Sequence, residues 1–248
     1  IHPTVGDLVG NAGLIADSVK SAQSQGANLL VFPEMIVTGY PVEDLALRPS
    51  FQAASIKAVE EIAAGITGDL VAVVGYLDKG PKNAVAVIHD GKIKARYVKR
   101  HLPNYGVFDE FRNFVAGDQN LVVRIHGVDV AVAICEDIWH SLESIAARTP
   151  GLLVVPNGSP FERNKDDVRL ALVQKRAKEI GAPVAYVNMT GGQDDLVFDG
   201  DSIVVGKDGS VLARTAQFDD QLIVVDIECA EGSSRPDVVI SEEQTSHA

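Results

Sequence analysis

Val128-Asp129-Val130-Ala131-Val132-Ala133-Ile134-Cys135 is an apolar run that breaks at once into Glu136-Asp137-Ile138-Trp139. Near-continuous Val, Ala and Ile leave no face for water, so the run predicts a strand buried on both sides. It ends on a thiol. In α/β enzymes a buried strand that turns toward a helix displays a nucleophile at such a corner, beside backbone N–H groups. A cysteine after an apolar strand is more often a small buried hydrophobe, so position alone does not make Cys135 reactive.

A second run of this kind, Asn28-Leu29-Leu30-Val31-Phe32-Pro33-Glu34, follows an amphipathic helix over residues 11–24 with Gly26 as its stop. The pattern then repeats with variation. Helices are expected over residues 55–66, 141–149 and 165–180, and buried strands over 70–77, 128–135, 152–156 and 183–189. Two hairpins are expected, residues 84–88 with 93–99 and 202–205 with 211–215. Their turns, Asp90-Gly91 and Asp208-Gly209, carry a glycine that tolerates positive φ. Helices alternating with buried strands, with hairpins added, give an α/β class: mixed sheets facing one another with helices outside.

With 248 residues, 46% of them hydrophobic and 23% charged, the chain can bury a full core as one large α/β domain. A net charge of −12 argues against nucleic acid or an anionic membrane surface as partner, because phosphates would be repelled. Two cysteines, Cys135 and Cys229, make no disulfide framework, so a reducing cytoplasm is the expected setting. No stretch is apolar enough for a membrane span. Ile1-His2-Pro3-Thr4-Val5-Gly6-Asp7 reads like the tail of a strand entering a turn, with the strand itself missing, and residues 230–248 read as a polar tail or linker.

Two further residues fall at expected strand ends. Glu34 follows Pro33, which ends strand pairing and turns the carboxylate beyond the sheet edge. Lys99 has the parity of Ile93, Ala95 and Tyr97, opposite to Lys92, Lys94 and Arg96, so it is expected to face inward, where a cation needs a partner or a task. An acid, a cation and a thiol suit amide hydrolysis: Cys135 attacks the carbonyl, Lys99 lowers the thiol pKa and steadies the oxyanion, and Glu34 moves protons. A strand-end acid in water and a frayed strand-end lysine are the plain alternatives. No metal is expected, since the histidines form no pair at helical spacing and the cysteines no C-x-x-C. The acidic stretch Asp194-Asp195-Leu196-Val197-Phe198-Asp199-Gly200-Asp201 lacks calcium-loop spacing and is read as a surface turn, with Gly191-Gly192-Gln193 before it as a flexible loop.

Leu30-Val31-Phe32-Pro33-Glu34, Lys99 before His101-Leu102-Pro103, and Ala133-Ile134-Cys135-Glu136-Asp137 resemble, in order, the Glu-Lys-Cys signatures of the nitrilase superfamily. Residues 101–110, 135–139, 157–161 and 191–200 are similar, more narrowly, to the glutaminase domain of glutamine-dependent NAD synthetases, over residues 3 to about 227. The resemblance implies an αββα four-layer sandwich that hydrolyses L-glutamine to glutamate and ammonia. Glu34, Lys99 and Cys135 carry the chemistry, and Tyr105, Glu110, Glu136, Ser159 and Lys165 line the substrate pocket. Gly158 stands where Ala is usual and Asn164 where Gly is usual, which loosens the expectation at Lys165. The resemblance further implies a domain over residues 1–229, a following synthetase domain as partner, and a homo-oligomer. No cofactor is implied for the glutaminase step, with ATP and Mg serving only the synthetase. That domain's S-G-G-x-D-S loop does not occur in this sequence. A stand-alone amidohydrolase on another small amide, or a catalytically silent fragment, are the alternatives.

Overall fold

The computed structural model describes residues 1–163 and 165–240, apart from the side chains of residues 165–167. Its helices are α1 (Leu8–Ser24), α2 (Pro49–Gly65), α3 (Glu110–Asn113), α4 (Glu143–Ala146) and α5 (Lys165–Ile180). Its strands are β1 (Leu29–Val31), β2 (Val71–Asp78), β3 (Lys82–His89), β4 (Lys92–Val98), β5 (Leu121–Ile125), β6 (Val128–Val132), β7 (Leu152–Asn157), β8 (Val184–Asn188), β9 (Thr190–Gln193), β10 (Leu196–Asp199), β11 (Ile203–Val205), β12 (Val211–Arg214) and β13 (Val238–Val239). Among the described residues, no helix is long and apolar enough to cross a membrane.

A four-stranded sheet, ordered β1-β2-β3-β4, faces a seven-stranded sheet ordered β12-β11-β8-β7-β6-β5-β13. Period-two alternation divides each strand between two cores. On β2, Val71 and Val73 point at the other sheet, where they meet Val123, Val130, Val132 and Val154. Ala72, Val74 and Tyr76 point the other way, under Ile15 and Val19 of α1 and Val59 and Ile62 of α2. The outer face of the large sheet, with Ala131, Leu153, Val155 and Val184, is covered by Val173, Ala177 and Ile180 of α5 and Ile145 of α4. Helix, sheet, sheet and helix make four layers, as the sequence resemblance implied. Each fully buried valine between the sheets contributes about 1.5 kcal/mol or more relative to exposure.

Local signals set the helix ends. Asp7 caps α1, its side chain accepting from Gly10 N at 2.9 Å, so the helix starts three residues before the expected position 11. Pro49 at the first helical position starts α2 ahead of the expected residue 55. Sequence reading missed the β5–β6 hairpin, whose turn residues His126 and Gly127 both have positive φ, 46° and 80°. Residues 190–199, read as loop and surface turn, form the β9–β10 hairpin. Asp199 and Asp201 are buried there against Arg169 and Arg214, not displayed to solvent.

The segment from residue 230, expected to be a polar tail, packs on the large sheet as far as it is described. The Ser234 hydroxyl donates to Asp129 Oδ2 at 2.7 Å, Val122 N donates to Asp237 Oδ2 at 2.8 Å, and β13 pairs with β5 in parallel. Inward parity on β4 holds for Ala95, Tyr97 and Lys99. A bulge between Val87 and Ile88 of the paired strand sends Ile93 to the helix side.

Candidate active site

Glu34 is placed by a turn that leaves β1 and crosses β2. Phe32 N extends the ladder to Val73 O at 2.9 Å, and Val37 N returns to Gly75 O at 3.1 Å. The turn fits because residue 75 has no side chain: a Cβ there would lie 2.4 Å from Met35 N and 2.7 Å from Pro33 O. Lys99 follows β4 with its backbone held on both sides, N–H to Asn83 O at 2.9 Å and C=O from Gly117 N at 2.8 Å. Cys135 opens a 3-10 turn, Cys135–Trp139, with φ at 43°. A left-handed cysteine persists only where its surroundings over-determine it. Asp137 Oδ2 accepts from Ile134 N at 2.9 Å and closes the corner.

These pieces meet between the sheets. The Lys99 ammonium lies 2.8 Å from Glu34 Oε1 and 2.9 Å from Glu110 Oε2, and all three residues are at most 3% exposed. Asn83 Nδ2 donates to Glu34 Oε1 at 2.7 Å, Gly158 N donates to Glu34 Oε2 at 2.8 Å, and the Tyr40 hydroxyl donates to Glu110 Oε1 at 2.9 Å. Cys135 is 6% exposed and within electrostatic reach of Glu34, Lys99 and Glu110.

Two carboxylates around one ammonium form a buried cluster that is one positive charge short. Burial opposes the Lys99 charge, but Glu110 and Glu34 hold its proton and push its pKa well up. Burial, aided by Glu34, raises the Glu110 carboxyl to about 7 against the pull of Lys99. Burial pushes the Cys135 thiol up as well, with Glu34 adding to it; Lys99 pulls down and does not prevail. Lys99 thus acts in the expected direction, lowering the thiol pKa, while burial sets the net shift. The resting group is a thiol.

Of the residues expected to line the pocket, Tyr105 donates its hydroxyl to Glu136 Oε2 at 2.8 Å, and Glu136 also lies 3.4 Å from His140 Nε2. Ser159 follows Gly158, its N–H bonded to Asn188 Oδ1 at 2.8 Å. Glu110 pairs with Lys99 at 2.9 Å. The Lys165 side chain lies outside the described residues. Sequence reading missed Tyr40, Gly75, Asn83 and Asp137. Asn83, a polar residue opening an apolar hairpin strand, carried a readable signal; Tyr40 did not, since its partner is 70 residues away. Among the described residues, no group of three or more His, Cys, Asp or Glu is arranged to hold a metal.

Comparison with known proteins places this arrangement. The chain is 44% identical over 247 residues to the glutamine-dependent NAD(+) synthetase of Xanthomonas campestris pv. campestris, covering 96% of this chain and 44% of that protein. It is 39% identical over 238 residues to the synthetase of the same name from Thermotoga maritima, covering 93% of this chain and 41% of the relative. The chain thus spans less than half the length of these curated relatives. Among solved structures, the glutamine-dependent NAD+ synthetase of Acinetobacter baumannii superposes with a TM-score of 0.83 at 35% identity, over 89% of this chain and 43% of that one. An amidase variant from Nesterenkonia sp. AN1, solved with acrylamide added at its active-site cysteine, superposes with a TM-score of 0.80 at 28% identity, over 92% and 90%. Residues 1–236 match the carbon-nitrogen hydrolase family model. With that match and a sandwich whose sheets bring Glu34, Lys99 and Cys135 together, the chain belongs to the carbon-nitrogen hydrolase family.

Proposed function

We propose that this chain hydrolyses L-glutamine to glutamate and ammonia through a thioester on Cys135, as the ammonia-supplying part of a glutamine-dependent NAD synthetase. The observation that carries the reading is the Lys99 ammonium bridging Glu34 and Glu110 beside the buried thiol. The names of the relatives supply the substrate.

Glu34 takes the thiol proton as sulfur attacks the amide carbon, and Lys99, held cationic, faces the oxyanion. Glu34 returns the proton to the leaving nitrogen, which departs as ammonia. It then draws a proton from water as the water attacks the thioester, releasing glutamate and restoring the thiol. Tyr105, Ser159 and Lys165 are the proposed glutamine contacts, with Glu110 and the Glu136 backbone also lining the pocket. This sequence of steps uses no cofactor; ATP and Mg belong to the synthetase partner that consumes the ammonia. A homo-oligomer and a cytoplasmic setting accompany the reading, and sedimentation and cell fractionation test them.

The deciding experiment measures ammonia release from glutamine by the protein and by Cys135→Ala. Release that survives in the variant sinks the thioester. A second reading, a stand-alone hydrolase of another small amide, is favoured by the 90% coverage of the Nesterenkonia amidase. Indifference to glutamine, with turnover of simpler amides, selects it.

A further inference from the structure

Asp137 does more than cap the turn that carries Cys135. Its Oδ2 accepts from Ile134 N at 2.9 Å and from the Tyr97 hydroxyl at 2.8 Å. Its Oδ1 accepts from Arg100 N at 3.1 Å, from His101 N at 2.9 Å, and lies 2.9 Å from His101 Nδ1. A cap for a short turn needs only the first of these bonds. The other partners lie on β4 and its continuation in the opposite sheet, on both sides of Lys99. One carboxylate thus grips the residue before the thiol and the residues two before, one after and two after the lysine.

The carboxylate is 3% exposed and its acceptor sites are filled. Burial alone would raise its pKa, but bonds from His101, Ile134 N and Tyr97 bring it below the ordinary value, so it stays ionised at neutral pH. Bonds to an ionised acceptor are shorter and stronger than neutral ones. Among the described residues near the site, Gly158 also ties the sheets together, through Glu34.

We propose that Asp137 is a positioning residue, a clip that fixes the Cys135 corner of the large sheet against the Lys99 strand of the small sheet. The proposal rests on Cys135 being the nucleophile. Asparagine at position 137 tests it with little change in shape. The N–H groups of Ile134, Arg100 and His101 can only donate, and they lie on both oxygens, so either amide orientation sets an NH2 group against a backbone N–H. With the NH2 toward Arg100 and His101 the grip on the small sheet is lost, and with it toward Ile134 the turn that carries Cys135 is undone.

The experiment follows alkylation of Cys135 by iodoacetamide, a small amide reagent, in a Cys229→Ser background that leaves a single thiol, with glutamine kcat and KM measured alongside. Asp137→Asn is expected to slow alkylation and kcat by about tenfold or more while KM stays within about threefold, because the thiol shifts from the groups that deprotonate it. An alkylation rate within about twofold of the parent overturns the clip, since a misplaced nucleophile costs far more than that. If the parent alkylates normally but leaves glutamine untouched, the substrate reading fails and the alkylation comparison still decides the clip. Should Asp137→Asn not fold, Tyr97→Phe removes one donor from the clip; a several-fold slower alkylation supports it and an unchanged rate overturns it.

Discussion

Gly158 donates its backbone N–H to Oε2 of Glu34 over 2.8 Å, joining the end of β7 in the large sheet to the turn after β1 in the small one. The same N–H acts on the Cys135 thiol and favours its ionised form. Glu34, the proposed base, is therefore held in place before any substrate arrives.

Removing the cation from the cluster is expected to damage both fold and chemistry. Lys99→Met leaves Glu34 and Glu110 buried without the ammonium between them. Urea unfolding should show a loss of about 3–5 kcal/mol, the usual result of breaking one side of a buried ion pair. Glutamine turnover should fall at least about a hundredfold, as when an oxyanion donor is removed. A fully stable variant would mean that the carboxylates do not depend on Lys99.

Glu110 gives stability a pH dependence of defined sign. Its carboxyl rises from 4.5 to about 7 on folding, so its contribution is fully present below pH 4.5 and is lost as pH climbs through 7. The loss amounts to at most about 3 kcal/mol. Glu110→Gln cannot titrate, so stability relative to the parent should rise between pH 4.5 and 7.5. Parallel unfolding curves across that window would refute the shift.

Gly75→Ala tests the passage of the Glu34 turn across β2. The new methyl would meet Met35 N and Pro33 O, both backbone atoms with little room to move. Overpacking of this kind costs about 1–3 kcal/mol. Because the displaced segment carries Glu34, kcat should fall about tenfold or more, out of proportion to the lost stability. Normal kcat in a folded variant would show that the turn can move without its carboxylate.

Arg169 is fully buried, bonded to Asp199 Oδ2 at 2.9 Å and to Pro160 O at 3.1 Å. Arg169→Met is expected to cost about 3–5 kcal/mol by stranding Asp199. It also frees the carbonyl next to Ser159, so KM for glutamine should rise about tenfold with a smaller change in kcat. Unchanged KM would separate this ion pair from substrate binding.

The four layers were legible because buried strands and amphipathic helices write their periods into the chain. The proposed triad was legible because each member falls at the end of an apolar run or hairpin strand. Parity left an inward Lys99 and a frayed strand end both open, and the inward reading survived the bulge that turned Ile93 the other way. Less visible were contacts between segments far apart. Nothing local to Asp199 or Asp201 announces that Arg169 and Arg214 will bury them, and nothing near Glu110 announces Lys99. The net upward shift of the Cys135 thiol was hidden for the same reason. It follows from how deeply the finished fold encloses the sulfur.

Glu34 and Lys99 come from the small sheet, and Cys135 and Gly158 from the large one. Neither sheet alone holds a working set, so the order of events in refolding becomes observable. Far-UV circular dichroism should recover as each sheet forms. Ammonia release should wait until the two faces dock, making enzymatic activity a clock for the last step of assembly.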